Sequence, residues 1–382
     1  MRRSNKDPVI YMIGTAGNPN YGDELITAGW LKYWAKVAPE AEVWLDTHRP
    51  GASAVLFDGL HPGLRCVDTL WHATWNAPKA QPEDIVAFGQ RVVAEPGLLP
   101  REATGIENLH MVDLVHIIGG GYINRLWPGH LALLGSAHGI AERYGAPVAL
   151  TGAGLFPPPE GSSNAIGQTL KAFDVVDVRD STSLDLIQSA VPFATNSGDD
   201  AFLVAGVDEI DRSAQELTYV SIQADLLEVE PADMADFVVR TLRSWEVDEE
   251  PVLLVECLPP GDHAIRQYLE PHLPDLRFLP FSQLWRQKLP AAPGARWITT
   301  RFHPHLMGAA AGNWGVGILT GTDYYANKHQ SLRALGSSWS LTSNLADVVP
   351  LETPSSPPFS GRLPDLRERK LLVAQSVESL LR

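Results

Sequence analysis

The sequence predicts an α/β protein with two Rossmann-like domains that face a cleft. Short apolar runs are repeatedly followed by Gly-rich loops and helix-patterned segments, which is typical of doubly wound parallel sheets. This series occurs twice, on either side of a polar stretch at residues 207–215. The chain of 382 residues is also long for one ordinary core and suits two.

The first predicted domain covers residues 1–206. Its apolar runs predict strands at residues 9–13, 41–45, 114–118, 146–150 and 174–178. Its helix-patterned segments lie at residues 23–34, 131–144 and 181–189. Residues 48–108 are weakly periodic and rich in Pro and His, so we expect irregular structure with short helices there.

The second predicted domain covers residues 216–348. Strands are predicted at residues 218–222, 252–256, 296–300 and 315–319. Helices are predicted at residues 232–245, 263–273 and 304–311. Residues 349–382 are expected to form a Pro-rich crossing segment that ends in a helix at residues 366–381.

The composition indicates an acidic globular protein. Its formal net charge is −15, with 45% hydrophobic and 20% charged residues, which disfavours a nucleic-acid-binding surface. Apolar runs are too short to span a bilayer, and Cys66 and Cys257 lack metal-ligand spacing. We expect a cytoplasmic protein that needs no metal or cofactor. Amphipathic contact of its C-terminal helix with the inner face of a membrane stays open, as does its oligomeric state.

The most informative segment is Thr299–Leu306, at the end of a predicted buried strand. Residues i and i+2 of a strand face the same side, so Arg301 and His303 are expected to face one pocket. Arg binds phosphate or carboxylate with a planar fork of donors, and His can move a proton near neutral pH. The pair suits a phosphorylated acid substrate. A surface Arg beside a helix-capping His is the alternative.

Two further cations follow predicted strands. Arg179 precedes a helix with Asp180 or Ser181 as its expected N-cap, so it could bind an anion beside the helix amides. A structural Arg–Asp surface pair is equally plausible. Lys328 follows the last strand of the second domain, where it is either a cleft cation or a solvated side chain.

The Gly-rich loops are candidate ligand cradles, because glycine lets the backbone approach a ligand closely. The candidates are Gly17, Asn18 and Asp23 in the first loop and Gly120, Gly121 and Asn124 in the second. Gly152 and Gly154 follow another strand. Neither a P-loop nor a dinucleotide fingerprint is present, and tight turns are the alternative. Asp199 and Asp200 are adjacent and would point to opposite faces, so a junction role is favoured over a metal pair.

Taken in order, these motifs resemble the polysaccharide pyruvyl transferase family over residues 9–335. The matching elements are Gly17-Asn18, Gly22-Asp23-Glu24, Ile117–Gly121, Val178-Arg179-Asp180 with Ser183 and Leu184, Asp200-Ala201-Phe202, Arg301-Phe302-His303, and Tyr325 with Lys328. Phe302 stands where relatives carry Leu.

The resemblance implies a glycosyltransferase-B-like fold. It also implies transfer of the enolpyruvyl unit of phosphoenolpyruvate to a hydroxyl pair of a sugar, which forms a pyruvate ketal. Arg179 and Arg301 would then bind the donor's phosphate and carboxylate, and His303 would be the acid or base. His305 could share that role. The acceptor would be a sugar of a cell-surface glycan, a glycolipid or a nucleotide-linked precursor.

Two other interpretations stay open at this point. A glycosyltransferase of the same architecture would hold a nucleotide sugar with Arg301, Lys328 and the Gly-rich loops, because fold alone does not settle function. A non-catalytic relative would bind a glycan or act as a scaffold. The loops near Trp71, Trp75 and Trp127 are candidates for acceptor choice, since aromatic faces commonly pack against sugars.

Overall fold

The computed structural model describes residues 7–206, 209–215, 217–223, 229–320, 323–350 and 359–381. Contacts within the chain group it into two units. Unit 1 contains residues 1–18, 23–203 and 368–382, and unit 2 contains residues 19–22 and 204–367. The C-terminal segment, which the sequence sets apart, is therefore divided between the two units, and its last part, residues 368–382, groups with unit 1.

Unit 1 is built on a seven-stranded sheet in the order β3-β2-β1-β4-β5-β6-β7, with every pair parallel. Its strands are β1 Val9–Ile13, β2 Glu42–Asp46, β3 Leu64–Val67, β4 Leu114–Ile117, β5 Val148–Ala153, β6 Val175–Val178 and β7 Thr195–Asn196. The central strands are apolar and buried throughout, as expected for a parallel sheet covered on both faces.

The helices of unit 1 cover this sheet. They are α1 Tyr21–Val37, α2 Pro50–Leu56, α3 Trp71–Trp75, α4 Pro82–Ala94, α5 Ala103–Asn108, α6 Leu131–Tyr144, α7 Ser163–Leu170 and α8 Ser181–Ile187. Helices α4 and α6 pack closely, because Gly89 and Gly135 let each helix backbone approach the other. The segment expected to be irregular thus contributes an edge strand and a long packed helix.

Unit 2 repeats the topology with a six-stranded parallel sheet in the order β11-β10-β9-β13-β14-β15. Its strands are β9 Thr218–Ser221, β10 Val252–Val255, β11 Leu276–Leu279, β13 Arg296–Thr299, β14 Trp314–Ile318 and β15 Ser340–Thr342. Two short strands, β8 Ile210–Asp211 and β12 Leu289–Pro290, pair outside this sheet. Residues 210–211 of the predicted linker are therefore paired backbone.

The helices of unit 2 are α9 Pro231–Ser244, α10 Arg266–Leu269, α11 Phe281–Gln287, α12 Phe302–Ala310 and α13 Asp323–Ala334. The helix expected at residues 263–273 is only the single turn α10. The last helix, α14, runs from Leu363 to Ser379. Residues 351–358 of the predicted crossing segment lie outside the described part of the chain. The predicted fold class, α/β with two Rossmann-like bodies, is confirmed.

Lys370 of α14 attaches the C-terminal helix to unit 1. Its buried Nζ donates to Asp177 at 2.8 Å, Asp200 at 2.9 Å and the carbonyl of Gly198 at 2.7 Å. Burial by itself would lower the pKa of Lys370, but the two carboxylates outweigh burial and raise it. A buried charge paired in this way is costly to strand by removing one partner.

Candidate functional site

Each sheet has one point where the strand order reverses, and ligands of open α/β sheets bind outside the carboxyl ends of the strands at that point. In unit 1 the reversal lies between β1 and β4, and in unit 2 between β9 and β13. The first Gly-rich loop follows β1 and Gly119–Gly121 follow β4, while Arg301 and His303 follow β13. These motifs thus lie at the reversal points of the two sheets, whereas Arg179 follows β6, two strands away from β4.

Arg301 is held by a buried carboxylate. It occupies the N-cap position of α12, and its Nε donates to Asp262 at 3.1 and 3.2 Å. Its Nη2 also donates to Asp262. The side chain of Arg301 is 10% exposed and that of Asp262 is fully buried. Burial raises the pKa of Asp262, and Arg301 opposes that shift. Arg301 is therefore a positioned cation, and not the surface residue of the alternative interpretation.

His303 lies on helix α12 and not on a strand. The prediction that strand alternation makes it face the same pocket as Arg301 is therefore wrong in its reason. Strand β13 ends at Thr299 and α12 begins at Phe302, so strand alternation does not apply to His303. Its ring packs against Gly22. A Cβ on Gly22 would stand 1.7 Å from Nδ1 of His303, so only glycine leaves room for this ring position.

A closed series of contacts nevertheless brings Arg301 and His303 to one place. Asp262, the partner of Arg301, accepts a hydrogen bond from the amide of Cys257 at 2.9 Å. The carbonyl of Cys257 accepts from the amide of Tyr21 at 2.9 Å, and Gly22 follows Tyr21 to meet the ring of His303. Sequence reasoning missed Asp262 and Gly22, because their roles depend on long-range packing.

His305 is buried on the other side of α12 and does not accompany His303. Its Nδ1 lies 2.8 Å from Nδ1 of His329, and its Nε2 lies 2.8 Å from Oγ of Ser337. Nε2 of His329 lies 3.2 Å from the carbonyl of Thr300, which can only accept. A neutral His329 therefore donates to Thr300 and accepts from His305, which in turn accepts from the Ser337 hydroxyl.

Burial keeps this imidazole pair neutral. It lowers the pKa of His329 to about 4 and that of His305 well below its usual range. The charges of Lys328 and Arg333 act in the same direction. Lys328 itself is half-buried on α13 beside His329. The side chain of Tyr325 lies outside the described residues.

The first loop of unit 1 is shaped by its own polar groups. Gly17 has φ +84°, and its amide donates to Glu24 at 2.9 Å. Asn18 Nδ2 lies 2.9 Å from Nδ1 of His48, which follows β2. Asp23 stands in the first turn of α1, where its carbonyl accepts from the hydroxyl of Thr27.

The second loop adopts a conformation that favours glycine. Gly120 has φ +142°, and its carbonyl accepts from the amide of Gly154 at 2.9 Å. Asn124 is buried, with Nδ2 donating to the carbonyl of Gly121 at 2.5 Å and Oδ1 accepting from the amide of Leu126 at 2.8 Å. Asn124 therefore holds the loop in shape, and ligand contact by this loop stays a prediction.

Arg179 and Asp180 form a buried pair after β6. Nε of Arg179 lies 3.5 Å from Asp180, with both side chains 2% exposed. Asp180 is the N-cap of α8, accepting from the amide of Ser183 at 2.8 Å, which decides between Asp180 and Ser181, the two caps that the sequence allowed. A Cβ on Gly154 would stand 2.2 Å from the guanidinium of Arg179. The proposed role of Arg179 in binding the donor stays a prediction.

Asp200 organises the interior beside the second loop, in agreement with a structural role. Its Oδ2 accepts from Trp30 Nε1 at 2.7 Å, the hydroxyl of Thr151 at 2.7 Å and the amide of Gly119 at 2.8 Å. Its Oδ1 accepts from Lys370. Among the described residues, no group of three or more His, Cys, Asp or Glu side chains could hold a metal ion.

The polysaccharide pyruvyl transferase family matches residues 20–320, a span that includes both sets of motifs. The chain belongs to this family. The family makes the chain a transferase and implies a sugar acceptor. No curated protein matches the chain significantly in sequence.

Solved structures resemble the fold at low sequence identity. A putative UDP-N-acetylglucosamine 2-epimerase from Listeria monocytogenes is 14% identical with a TM-score of 0.54, covering 97% of this chain and 91% of its own. The UDP-GlcNAc 2-epimerase from Neisseria meningitidis, solved with UDP-GlcNAc bound, is 10% identical with a TM-score of 0.51 and coverages of 95% and 94%. The fold is glycosyltransferase-B-like.

Family and fold together support a glycan-modifying transferase. Within the described residues, every helix is too short or too polar to cross a membrane.

Proposed function

We propose that this family member transfers the enolpyruvyl unit of phosphoenolpyruvate to two hydroxyls of a sugar, giving a cyclic pyruvate ketal and free phosphate. The observation that carries the proposal is the closed series of contacts that places Arg301 and His303 together at the reversal point of unit 2. A positioned cation beside an imidazole matches a substrate that carries anionic groups and must be protonated.

Arg301 is assigned to an anionic group of the donor. Its pair with Asp262 fixes the guanidinium plane but also offsets its charge, so further positive potential is required. The amino end of α12 supplies some of it, since Arg301 places no side-chain cap there and helix amides favour anions. Lys328, whose neighbour His329 lies against the carbonyl of Thr300, is assigned as a further cation for the donor.

His303 is assigned as the proton donor to the methylene carbon of the donor. Protonation makes the central carbon electron-poor, and one sugar hydroxyl adds to it while its proton returns to the imidazole. The second hydroxyl then displaces phosphate as the carbon–oxygen bond breaks, and its proton leaves with phosphate. A positioned acid of this kind contributes about 10²–10⁴-fold in rate.

Thermal-shift titration with phosphoenolpyruvate tests the donor, with inorganic phosphate and UDP-GlcNAc as competing ligands. At 100 times its dissociation constant a ligand stabilises the fold by about 2.7 kcal/mol. Replacing Arg301 alone would strand a buried carboxylate, so the informative variant is Arg301→Gln with Asp262→Asn. We expect this variant to lose the phosphoenolpyruvate shift.

The matched control is Arg277→Gln with Asp275→Asn, an exposed pair of the same unit, which should keep the shift. His303→Asn should also keep it while losing turnover. Stabilisation by UDP-GlcNAc but not by phosphoenolpyruvate would contradict the proposal and favour a nucleotide-sugar transferase. Full turnover in His303→Asn would remove His303 from the mechanism.

A further inference from the structure

Five aromatic side chains from three separate segments of unit 1 gather into one patch. His48 follows β2, Trp71 and Trp75 form the ends of α3 after β3, and Trp127 and His130 follow the loop after β4. We call these five residues the aromatic patch. His48 lies 3.8 Å from Trp71 and 5.9 Å from Trp75 between ring centroids.

His130 connects Trp127 to the rest of the aromatic patch. Its ring centroid lies 6.2 Å from that of His48 and 5.1 Å from that of Trp71. Trp127 stacks on His130 at 5.9 Å with planes 9° apart. His48 and His130 therefore link Trp75 at one end to Trp127 at the other, and the five rings form one connected cluster.

Trp71 anchors the aromatic patch beside the reversal point of the sheet. It is fully buried, and its Nε1 donates to the carbonyls of Gly14 and Asp46 at 3.1 Å each. Gly14 and Asp46 come at the carboxyl ends of β1 and β2, which are neighbouring strands. The patch thus lies at the sheet edge where ligands of this topology bind.

Trp75 and Trp127 leave much of their indole surface in water, with 53% and 39% of it exposed. Large aromatic side chains normally contribute to a core or an interface, and Trp30, Trp34, Trp71, Trp297 and Trp339 are fully buried here. Two exposed indoles that are linked through His48 and His130 at a ligand-binding edge indicate a binding surface.

The two imidazoles offer the aromatic patch one donor and one acceptor. Asn18 Nδ2 donates to Nδ1 of His48, so the ring proton of neutral His48 is on Nε2. His130 Nδ1 lies 2.7 Å from the carbonyl of Tyr122 and must donate to it, which leaves Nε2 of neutral His130 as an acceptor. Burial lowers the pKa of both to about 4, so both are neutral near pH 7.

We propose that the aromatic patch binds a sugar ring, with the indoles of Trp75 and Trp127 against its C–H faces and the imidazoles on its hydroxyls. A hydroxyl both donates and accepts, so it matches the pair formed by His48 Nε2–H and His130 Nε2. Neutral groups between apolar faces suit an uncharged saccharide better than an anion or a charged peptide. That this sugar is the acceptor of the transferase rests on the proposed function.

Saturation-transfer NMR on the full chain tests this inference, with methyl glycosides of galactose, glucose, mannose and N-acetylglucosamine as probes at millimolar concentration. We expect wild type to bind at least one of them. Trp75→Ala with Trp127→Ala should weaken that binding about tenfold or more, which corresponds to about 1.4 kcal/mol. Trp75→Tyr with Trp127→Tyr should restore part of it, because an aromatic face returns.

Phe193→Ala is the matched control, since Phe193 is 48% exposed but precedes β7 at the opposite, amino edge of the sheet. It should bind the glycosides as wild type does. The inference is overturned if no glycoside binds wild type, if the double Ala variant binds normally, or if Phe193→Ala weakens binding equally.

The phosphoenolpyruvate thermal shift, measured on the same proteins, separates this inference from the proposed function. Glycoside binding that depends on the two tryptophans, without any phosphoenolpyruvate shift, would support the sugar site and contradict the donor. A normal phosphoenolpyruvate shift, together with glycoside binding that is unchanged when the two tryptophans are replaced, would support the donor and contradict the sugar site. Retention of that shift in the double Ala variant also shows that the variant is folded.

Discussion

Arg179 and Arg301 each follow a parallel strand and precede a helix, one in each unit, yet their surroundings differ. The Arg179 side chain is 2% exposed and pairs with the residue that caps the following helix. The Arg301 side chain is 10% exposed and pairs with Asp262 from a different loop, while itself standing at the N-cap. Strand β13 borders the reversal point of its sheet, whereas β6 is two strands removed from β4.

This comparison shows that a cation after a strand is weak evidence for a ligand site unless its position in the sheet is known. Both arginines satisfied the same sequence pattern. Only Arg301 stands at the position where the topology opens a crevice. Arg301 also has His303 beside it, with Gly22 making room for the imidazole ring. For these reasons we assign the proposed reaction to unit 2.

The largest expected effect comes from Gly22→Ala, which tests whether the Arg301 and His303 site of unit 2 is needed for turnover. A Cβ there would lie within 2.3 Å of three ring atoms of His303, so the imidazole must leave its position. We expect turnover to fall by as much as the roughly 10²–10⁴-fold that a positioned acid contributes, with phosphoenolpyruvate binding retained. Steady-state kinetics and thermal shift measure the two separately.

Two glycine variants sharpen that result. Gly51→Ala is the control, because nothing lies within 4 Å of the added methyl group, and it should leave turnover unchanged. Gly154→Ala would press on Arg179, and overpacking should cost about 1–3 kcal/mol of stability. Loss of phosphoenolpyruvate binding in Gly154→Ala would place Arg179 in the donor site and erase the contrast between the two arginines.

Acid should weaken unit 2 through its buried imidazole pair. The pKa of His329 falls from 6.5 in the unfolded chain to about 4 in the fold, so the unfolded state binds more protons in that range. Stability is therefore fully present above pH 6.5 and falls as the pH drops toward 4, by roughly 3 kcal/mol for this group alone. Denaturant titrations across that range measure the loss.

Replacing both imidazoles, as His305→Leu with His329→Leu, should flatten this pH dependence even if it lowers stability at neutral pH. The readout is the slope against pH and not the absolute stability. His110→Gln, at an exposed histidine, should leave the slope unchanged. An unaltered slope in the double variant would show that the pair is not the source of acid sensitivity.

The smallest expected effect is at the helix cap of unit 1. Asp180→Ala removes the bond to the Ser183 amide, a cap that contributes about 1–2 kcal/mol. It also takes a carboxylate from the buried side chain of Arg179, so the loss measured by denaturant unfolding should be at least that large. Asp185→Ala, exposed on the same helix, should stay within about 0.5 kcal/mol of wild type. A cost at Asp180 no larger than at Asp185 would mean that the cap contributes nothing and that Arg179 has no structural partner to keep.

Local patterns were predictable where one strong signal decided them. The helix expected at residues 131–144 is observed as Leu131–Tyr144, because apolar spacing and the following glycine both mark it. For the helix after β6 the sequence allowed Asp180 or Ser181 as the N-cap, and the structure selects Asp180. Residues 48–108 were misjudged. Helix α4 is amphipathic and buries Ile85, Val86, Val92 and Val93, a spacing that the prediction overlooked. Strand β3 is only partly buried and is stabilised by pairing with β2.

The candidate site was predictable by residue but not by geometry. Arg301 and His303 were identified together, yet the strand argument that joined them fails at Phe302, where the helix already begins. What joins them is the path through Asp262, Cys257 and Gly22. These residues are far apart in sequence, so no local spacing could indicate it.

The sequence by itself determined the fold class, the family and the choice of candidate reactive side chains, since apolar periodicity and ordered motifs are local properties. The tertiary structure decided which glycine accommodates His303, which carboxylate orients Arg301, and that buried Lys370 secures the last helix. It also gathered the tryptophans and histidines of unit 1 into one patch. The physical reason is that burial and pairing of polar groups depend on neighbours brought together from distant parts of the chain.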